Sequence, residues 1–401
     1  MQFFVRMVLA LALISAAVAQ ESSPIEAWGK DLRIRPLFGP NAPFHSIHTY
    51  FNTSPESPDG RWILFFRSTD PEAQIGDIYA AGMDYGEMRP IAKGVETEDG
   101  HRVACQQWVL GGRAVLFHDL RDGEWVVVLV DMRTLNERIL ATGRQVGFAS
   151  PFGEWVPIYG PHWEPGEHRD LELVSLRTGE IQKAVSIDSV KPAYEASSGA
   201  EYLTEQFGDK PTSVFFPILS PDESQVIFKL SSPSIGGFRS SQASLRKGIF
   251  VYDLAAAEYR FVHGKWGHPA WHPSGDRILS MWANGPVLVD LESGQVSAKS
   301  QIPDWMSPNG HPSSSPNGEI FVTDGILTDP DKDRKWWGVA VGDFEGSEWI
   351  KLREFDNSKG ESSWRGSHPH PVFSADGRRI YFNVSEDQWT RLWVAERKTK
   401  R

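Results

Sequence analysis

The sequence predicts an all-β fold, a seven-bladed β-propeller with four-stranded blades, on three observations. A phrase of the form Ser-Pro-Asp-Gly recurs along the chain, each copy built as a hairpin-type turn. Short β-rich runs separated by turn residues accompany the copies. No long stretch keeps a helical period. One small unit repeating at intervals of about 40 to 70 residues, with room for four short strands each, is the mark of a radial repeat.

The elements follow in chain order. Arg6, a largely apolar run from Met7 to Val18, and Ala17-Val18-Ala19 before Gln20 describe a secretory signal peptide over residues 1–19, cut after Ala19. The run is too short to span a bilayer. Residues 20–401 are therefore expected to form one secreted or periplasmic propeller domain, with no membrane insertion. A strand near Leu32–Leu37 is expected to complete the last blade and close the ring. The turn phrases are Ser57-Pro-Asp-Gly60, Val109-Leu-Gly-Gly112, Ser150-Pro-Phe-Gly153, Ser220-Pro-Asp-Glu223, His272-Pro-Ser-Gly275, Ser315-Pro-Asn-Gly318 and Ser374-Ala-Asp-Gly377. Four residues ahead of them stand Thr53, Cys105, Val146, Phe216, His268, His311 and His370. Further strands are expected at Trp62–Phe66, Ala114–Phe117, Trp125–Asp131, Leu171–Ser175, Gln225–Lys229, Ile249–Asp253, Pro286–Asp290 and Leu392–Ala395. The long interval 177–216 reads as an insertion over one face.

A net charge of −11 argues against general binding to nucleic acid or anionic membranes, while leaving room for a local cationic pocket. Cys105 is the only cysteine, so stability must come from packing, for which 16 Trp and 22 Phe supply bulk. A monomer is expected. Asn52-Thr-Ser54 and Asn383-Val-Ser385 fit the glycosylation pattern, which matters only in a eukaryotic host.

The histidines carry the functional signal. Innermost propeller strands start at one mouth of the central channel, and the loops between second and third strands return there. On that scheme His45, His48, His101, His268, His311, His368 and His370 lie just ahead of first strands. His118, His162 and His168 fall in second-to-third loops, so ten of 12 histidines collect at one mouth. Arg67, Arg102, Arg121, Arg169, Arg239 and Arg246 map to the same rim, with Trp163, Trp336 and Trp337. Guanidinium groups pair bidentately with carboxylates, and sugar faces pack on aromatic rings. The rim therefore suits an acidic carbohydrate. Any one of these histidines could equally brace the ring through a backbone carbonyl. His272, in the Ser place of its turn, is expected to do so. Cys105 reads as a core residue, as do Trp62, Trp108 and Trp155. The acidic run 329–334 reads as a solvated loop, with calcium binding as its alternative. For His311, His368 and His370 the sharper reading is metal binding, since three neutral imidazoles with open positions suit a catalytic divalent ion.

His268-Pro-Ala-Trp, Gly310-His311-Pro-Ser-Ser-Ser-Pro-Asn-Gly with Thr323-Asp324-Gly325 after it, and His368-Pro-His370-Pro-Val-Phe-Ser resemble TolB-type propellers. More narrowly they resemble the propeller polysaccharide lyases, oligogalacturonate lyase above all, with ulvan and rhamnose–glucuronate lyases sharing the architecture. The resemblance implies a metal, manganese or calcium, held by His311, His368 and His370. It implies His268 as general base and Arg246 or Arg239 at the substrate. The family places a Gln ligand three residues before the histidine pair, and Arg365, which cannot ligate a cation, stands there. His48, His101 and Arg102, with Arg169 and Arg239, are expected to bind substrate, the first three marking a different uronate specificity. The function expected is β-elimination of a uronic-acid-containing glycan to an unsaturated uronate. The alternative is a non-catalytic TolB-like propeller that binds a protein or glycan. The propeller half of a serine peptidase is disfavoured by the lack of a G-x-S-x-G elbow.

Overall fold

Five of the seven recurring phrases are turns closed by their own side chains. The structure, a computed structural model, describes residues 23–198, 207–240, 242–264, 267–282, 285–297, 300–308, 310–328, 336–344, 348–357 and 368–398. Ser57 Oγ donates to Asp59 at 2.6 Å and accepts the backbone N–H of Trp62 at 3.0 Å. Ser220 with Asp222, Ser315 with Asn317 and Ser374 with Asp376 repeat the pattern. Gly60, Gly275, Gly318 and Gly377 leave the turn with φ between +66° and +77°, a region where a side chain would be strained. In the fifth copy His272 does the serine's work: Nδ1 meets Ser274 Oγ at 2.6 Å and Nε2 reaches Gly318 O in the next blade at 3.1 Å. The bracing role expected of it holds.

These turns join the first two strands of blades in seven antiparallel four-stranded sheets. The innermost strands are His45–Ile47, Gln107–Val109, Gln145–Val146, Ser213–Leu219, Ala270–Trp271, Ser313–Ser314 and Val372–Phe373, in blades 1 to 7. Leu32–Pro36 pairs with Arg391–Arg397 as the fourth strand of blade 7, so the ring closes as expected. Buried and half-buried side chains stitch adjacent blades. Trp108 Nε1 donates to Pro55 O at 2.8 Å, and Trp271 Nε1 to Ile218 O at 3.0 Å. Gln107 donates to Gly147 O and accepts from Ala149 N. Cys105 and Trp108 are buried core residues, as expected.

Two local departures matter. The interval 177–216 holds the outer strand Ile181–Val185 and a helix, Ile187–Ser198, that periodicity missed. Ile187, Val190 and Tyr194 form its short apolar stripe against blade 4, and Pro192 interrupts the pattern. The second departure positions the site. Ile47 pairs with Phe66 and Glu56 with Ile63, so the intervening chain loops out of blade 1. That excursion carries His48, Tyr50 and Phe51 into the core against inner-strand side chains of other blades, Phe148 and Phe216 among them.

Candidate active site

The excursion closes one end of the channel. Phe51 belongs to the lining of a cavity of about 380 Å³ at the far ends of the inner strands, with Trp108, Phe152 and Trp271, and no histidine lines it. On the other side of Tyr50 and Phe51 lie the imidazoles. The Tyr50 ring is 4.4 Å from that of His370, 5.6 Å from His101 and 5.7 Å from His311.

His101, His311, His368 and His370 converge there. One ring nitrogen from each lies within 4.8 Å of the other three. His311 and His370 are buried, while His101 and His368 are half-buried. Their scaffold is one carboxylate. Asp324 is fully buried and accepts from His311 N at 2.8 Å, His311 Nδ1 at 2.9 Å and His370 N at 2.9 Å. A carboxylate only accepts here, so Nδ1 of His311 carries a hydrogen toward it, leaving Nε2 as the ring nitrogen not tied to Asp324. Burial alone would raise the Asp324 carboxyl; the His311 imidazole and its hydrogen bonds hold it below its usual range instead. Gly310 is obligatory beside it, because a Cβ there would sit 1.8 Å from Asp324 O.

His370 is gripped from both sides. Its N–H goes to Asp324, and its carbonyl accepts from His48 Nε2 at 2.6 Å. That grip sustains φ of +46°, a conformation a non-glycine residue holds only under constraint. Both His370 ring nitrogens are buried without a hydrogen-bond partner among the described residues. Orphaned imidazole nitrogens facing other imidazoles fit a cation. Burial, then the imidazoles of His311, His101 and His368, push His370 well below its ordinary range. Burial and His311 push His368 down to about 3. Both are neutral at neutral pH, as ligands must be.

His268 stands beside the group, its ring 4.2 Å from that of His311. Nδ1 lies 3.2 Å from Gly310 O, which can only accept, so Nε2 holds the lone pair. Burial, His311 and Lys229 keep the ring neutral. Arg246 is half-buried; its Nε donates to Ser244 Oγ at 3.2 Å and its Nη2 lies 3.4 Å from His162 Nε2. His162 in turn is bound to Ser244 and lies 3.3 Å from Glu98.

Other expected site residues are placed differently. His48 is 1% exposed and serves as the brace of His370. Arg102 turns inward to a buried ion pair with Glu98 at 2.9 Å. Arg169 donates to Thr212 O at 2.7 Å. Arg239 reaches across the mouth to Glu96 at 2.7 Å, while its neighbour Phe238 stacks on Trp163. His118 is a correction: it lies inside strand Ala114–Arg121, its Nδ1 accepting from Val146 N. His45 accepts from Thr390 N at the blade 7–1 seam. Trp336 and Trp337 start a strand, with Trp337 4.7 Å from His368. Asn383 is also a correction. It is fully buried and binds both backbone groups of His48, so no glycan can reach it. Arg365, the acidic run 329–334 and the segment 1–19 expected to be a leader lie outside the described residues. Sequence reasoning missed Tyr50, Glu98 and Lys229; only Asp324 had left a trace, in Thr323-Asp324-Gly325.

No protein-family model matches the chain, and no curated protein matches it. Solved structures do. An oligogalacturonate lyase in complex with manganese is 16% identical with a TM-score of 0.63, over 91% of this chain and 93% of that one. An oligogalacturonate lyase from Vibrio parahaemolyticus is 15% identical with a TM-score of 0.60, over 92% and 98%. TolB from Acinetobacter baumannii is 13% identical with a TM-score of 0.43, over 82% and 65%. At such identities the likeness to the two lyases establishes the fold alone. No helix among the described residues is long and apolar enough to cross a membrane.

Proposed function

We propose that the protein is a secreted lyase that cleaves uronic-acid-containing glycans by β-elimination. The observation that carries the proposal is the convergence of imidazoles from blades 2, 5, 6 and 7 at one mouth. A fold shared with oligogalacturonate lyases supports it.

Elimination needs the C5 proton of a uronosyl unit made acidic, a base to take it, and an exit for the C4 oxygen. Arg246, held by Ser244 and His162, is the partner for the sugar carboxylate; a guanidinium presents two parallel donors to it. His311, His368 and His370 would hold a divalent ion, which when bound supplies positive charge beside that carboxylate. His268 takes the C5 proton on Nε2, within reach of a sugar seated against His311. The C5–H electrons form the C4=C5 bond, the C4–O bond breaks, and the departing oxygen takes a proton from the water-filled mouth. Trp163, stacked on Phe238 at the rim, offers an aromatic surface to neighbouring sugars. The export leader over residues 1–19 would deliver the enzyme to such polymers.

The test is a panel of uronate polysaccharides incubated with the full mature chain and read by the ultraviolet absorbance of the unsaturated uronate product. Absorbance should rise with at least one acidic glycan and with no neutral one. Retention of a glycan or protein without new absorbance on any member would favour the binding-module alternative.

A further inference from the structure

We infer that His101 completes an all-imidazole cage with His311, His368 and His370, and that this cage selects a zinc-class transition ion over manganese or calcium. The inference rests on the reading of this cluster as a metal centre and adds to it a fourth ligand and the class of ion.

Placement comes first. His101 arrives from the blade 2 loop, facing residues of blades 6 and 7. The six ring-to-ring distances within the set run from 4.5 to 5.9 Å. Four imidazoles bound to one ion at about 2.0–2.1 Å per nitrogen put their ring centres about 5 Å apart. The His101 loop is built. Asp99 accepts from His101 N at 2.9 Å and Arg102 N at 3.2 Å, and Arg102 is anchored on Glu98. Tyr50 packs edge-on against the ring.

Donor chemistry comes second. Among the described residues the set contains four imidazole nitrogens and no carboxylate oxygen. Asp324, the carboxylate beside it, has both oxygens engaged by His311 and His370, so it orients ligands from behind. Calcium and manganese favour carboxylate, carbonyl and water oxygens; imidazole suits zinc, copper, nickel and iron. A cage of imidazoles alone disfavours the hard ions whatever the overall affinity.

The test uses the full mature chain stripped with chelator and titrated calorimetrically with zinc, manganese and calcium, with cobalt(II) as an optical probe. Zinc should bind more tightly than manganese by over about tenfold. Cobalt should give the intense visible bands of a four-coordinate nitrogen site. His101→Ala should weaken zinc by about 10- to 100-fold and bleach the cobalt bands, while His272→Ala leaves both unchanged. An unaltered thermal melt of metal-free His101→Ala separates ligand loss from misfolding; if that variant melts early, His101→Gln is measured in its place. Manganese or calcium binding as tightly as zinc, zinc binding indifferent to His101, or no metal binding would each overturn the inference. The lyase reading fails separately: zinc held through His101 with no unsaturated uronate released keeps this inference and discards that one.

Discussion

Asp324 shows how much one side chain can organise. Its two oxygens set the tautomer of His311 and fix the backbones of both His311 and His370. Asp324→Asn removes one acceptor oxygen and should weaken divalent-metal binding by about 10- to 100-fold, measured by calorimetric titration; undiminished affinity would detach Asp324 from the centre. At this scale the sequence was partly legible. His268, His311 and His370 stood in one repeated phrase, so the fold's symmetry carried them to one place. His101 follows no such phrase, and its position depends on the Asp99 turn and the Glu98–Arg102 pair, neither of which leaves a periodic signal. The rim arginines were overcounted because charge pairing is set across blades: Arg102 and Arg239 each find a carboxylate, and Arg169 a carbonyl.

The element that shapes the site is the excursion from blade 1 between Ile47 and Glu56. It inserts Tyr50 and Phe51 as a floor and delivers His48 to the carbonyl of His370. Asn383, on the second strand of blade 7, clamps it by binding His48 N and O, each at 3.1 Å. Asn383→Leu strands both backbone groups in a buried place and should cost about 1–3 kcal/mol for each group stranded, read from urea unfolding. Unchanged stability would show that the excursion needs no clamp. Strand runs and turns were legible because alternation and turn chemistry are local. The excursion was not, since its residues read as one more strand approach, and the helix Ile187–Ser198 was hidden by its brevity and Pro192.

At the scale of the whole molecule, the ring is sealed where blade 7 meets blade 1. Leu32–Pro36 supplies the last strand, and buried Glu56 accepts from Arg379 at 2.7 Å and Tyr381 at 2.6 Å. The closure was legible from a blade one strand short; the Glu56 seam was not, because it joins residues far apart in the chain. Buried neutral histidines give this ring a pH signature. Burial above all lowers His45 to about 4, and His118 and His162 to about 3. Unfolded, they would take a proton near pH 6.5. The unfolded chain thus binds more protons between those values, so stability is full above pH 6.5 and falls on acidification toward pH 3–4, by up to about 1.4 kcal/mol per pH unit for each histidine. Thermal melts should drop steadily from pH 6.5 to 4.5; a flat profile would mean that these side chains reach water in the folded state.

The most direct test of the chemistry assigned to the mouth is the rate of unsaturated-uronate release by wild type and His268→Ala on the best acidic glycan, with metal content matched. The variant should keep the wild-type melt and metal stoichiometry and lose elimination by about 10²-fold or more. Full activity in His268→Ala would remove that imidazole from the reaction and leave the proposed mechanism without its base.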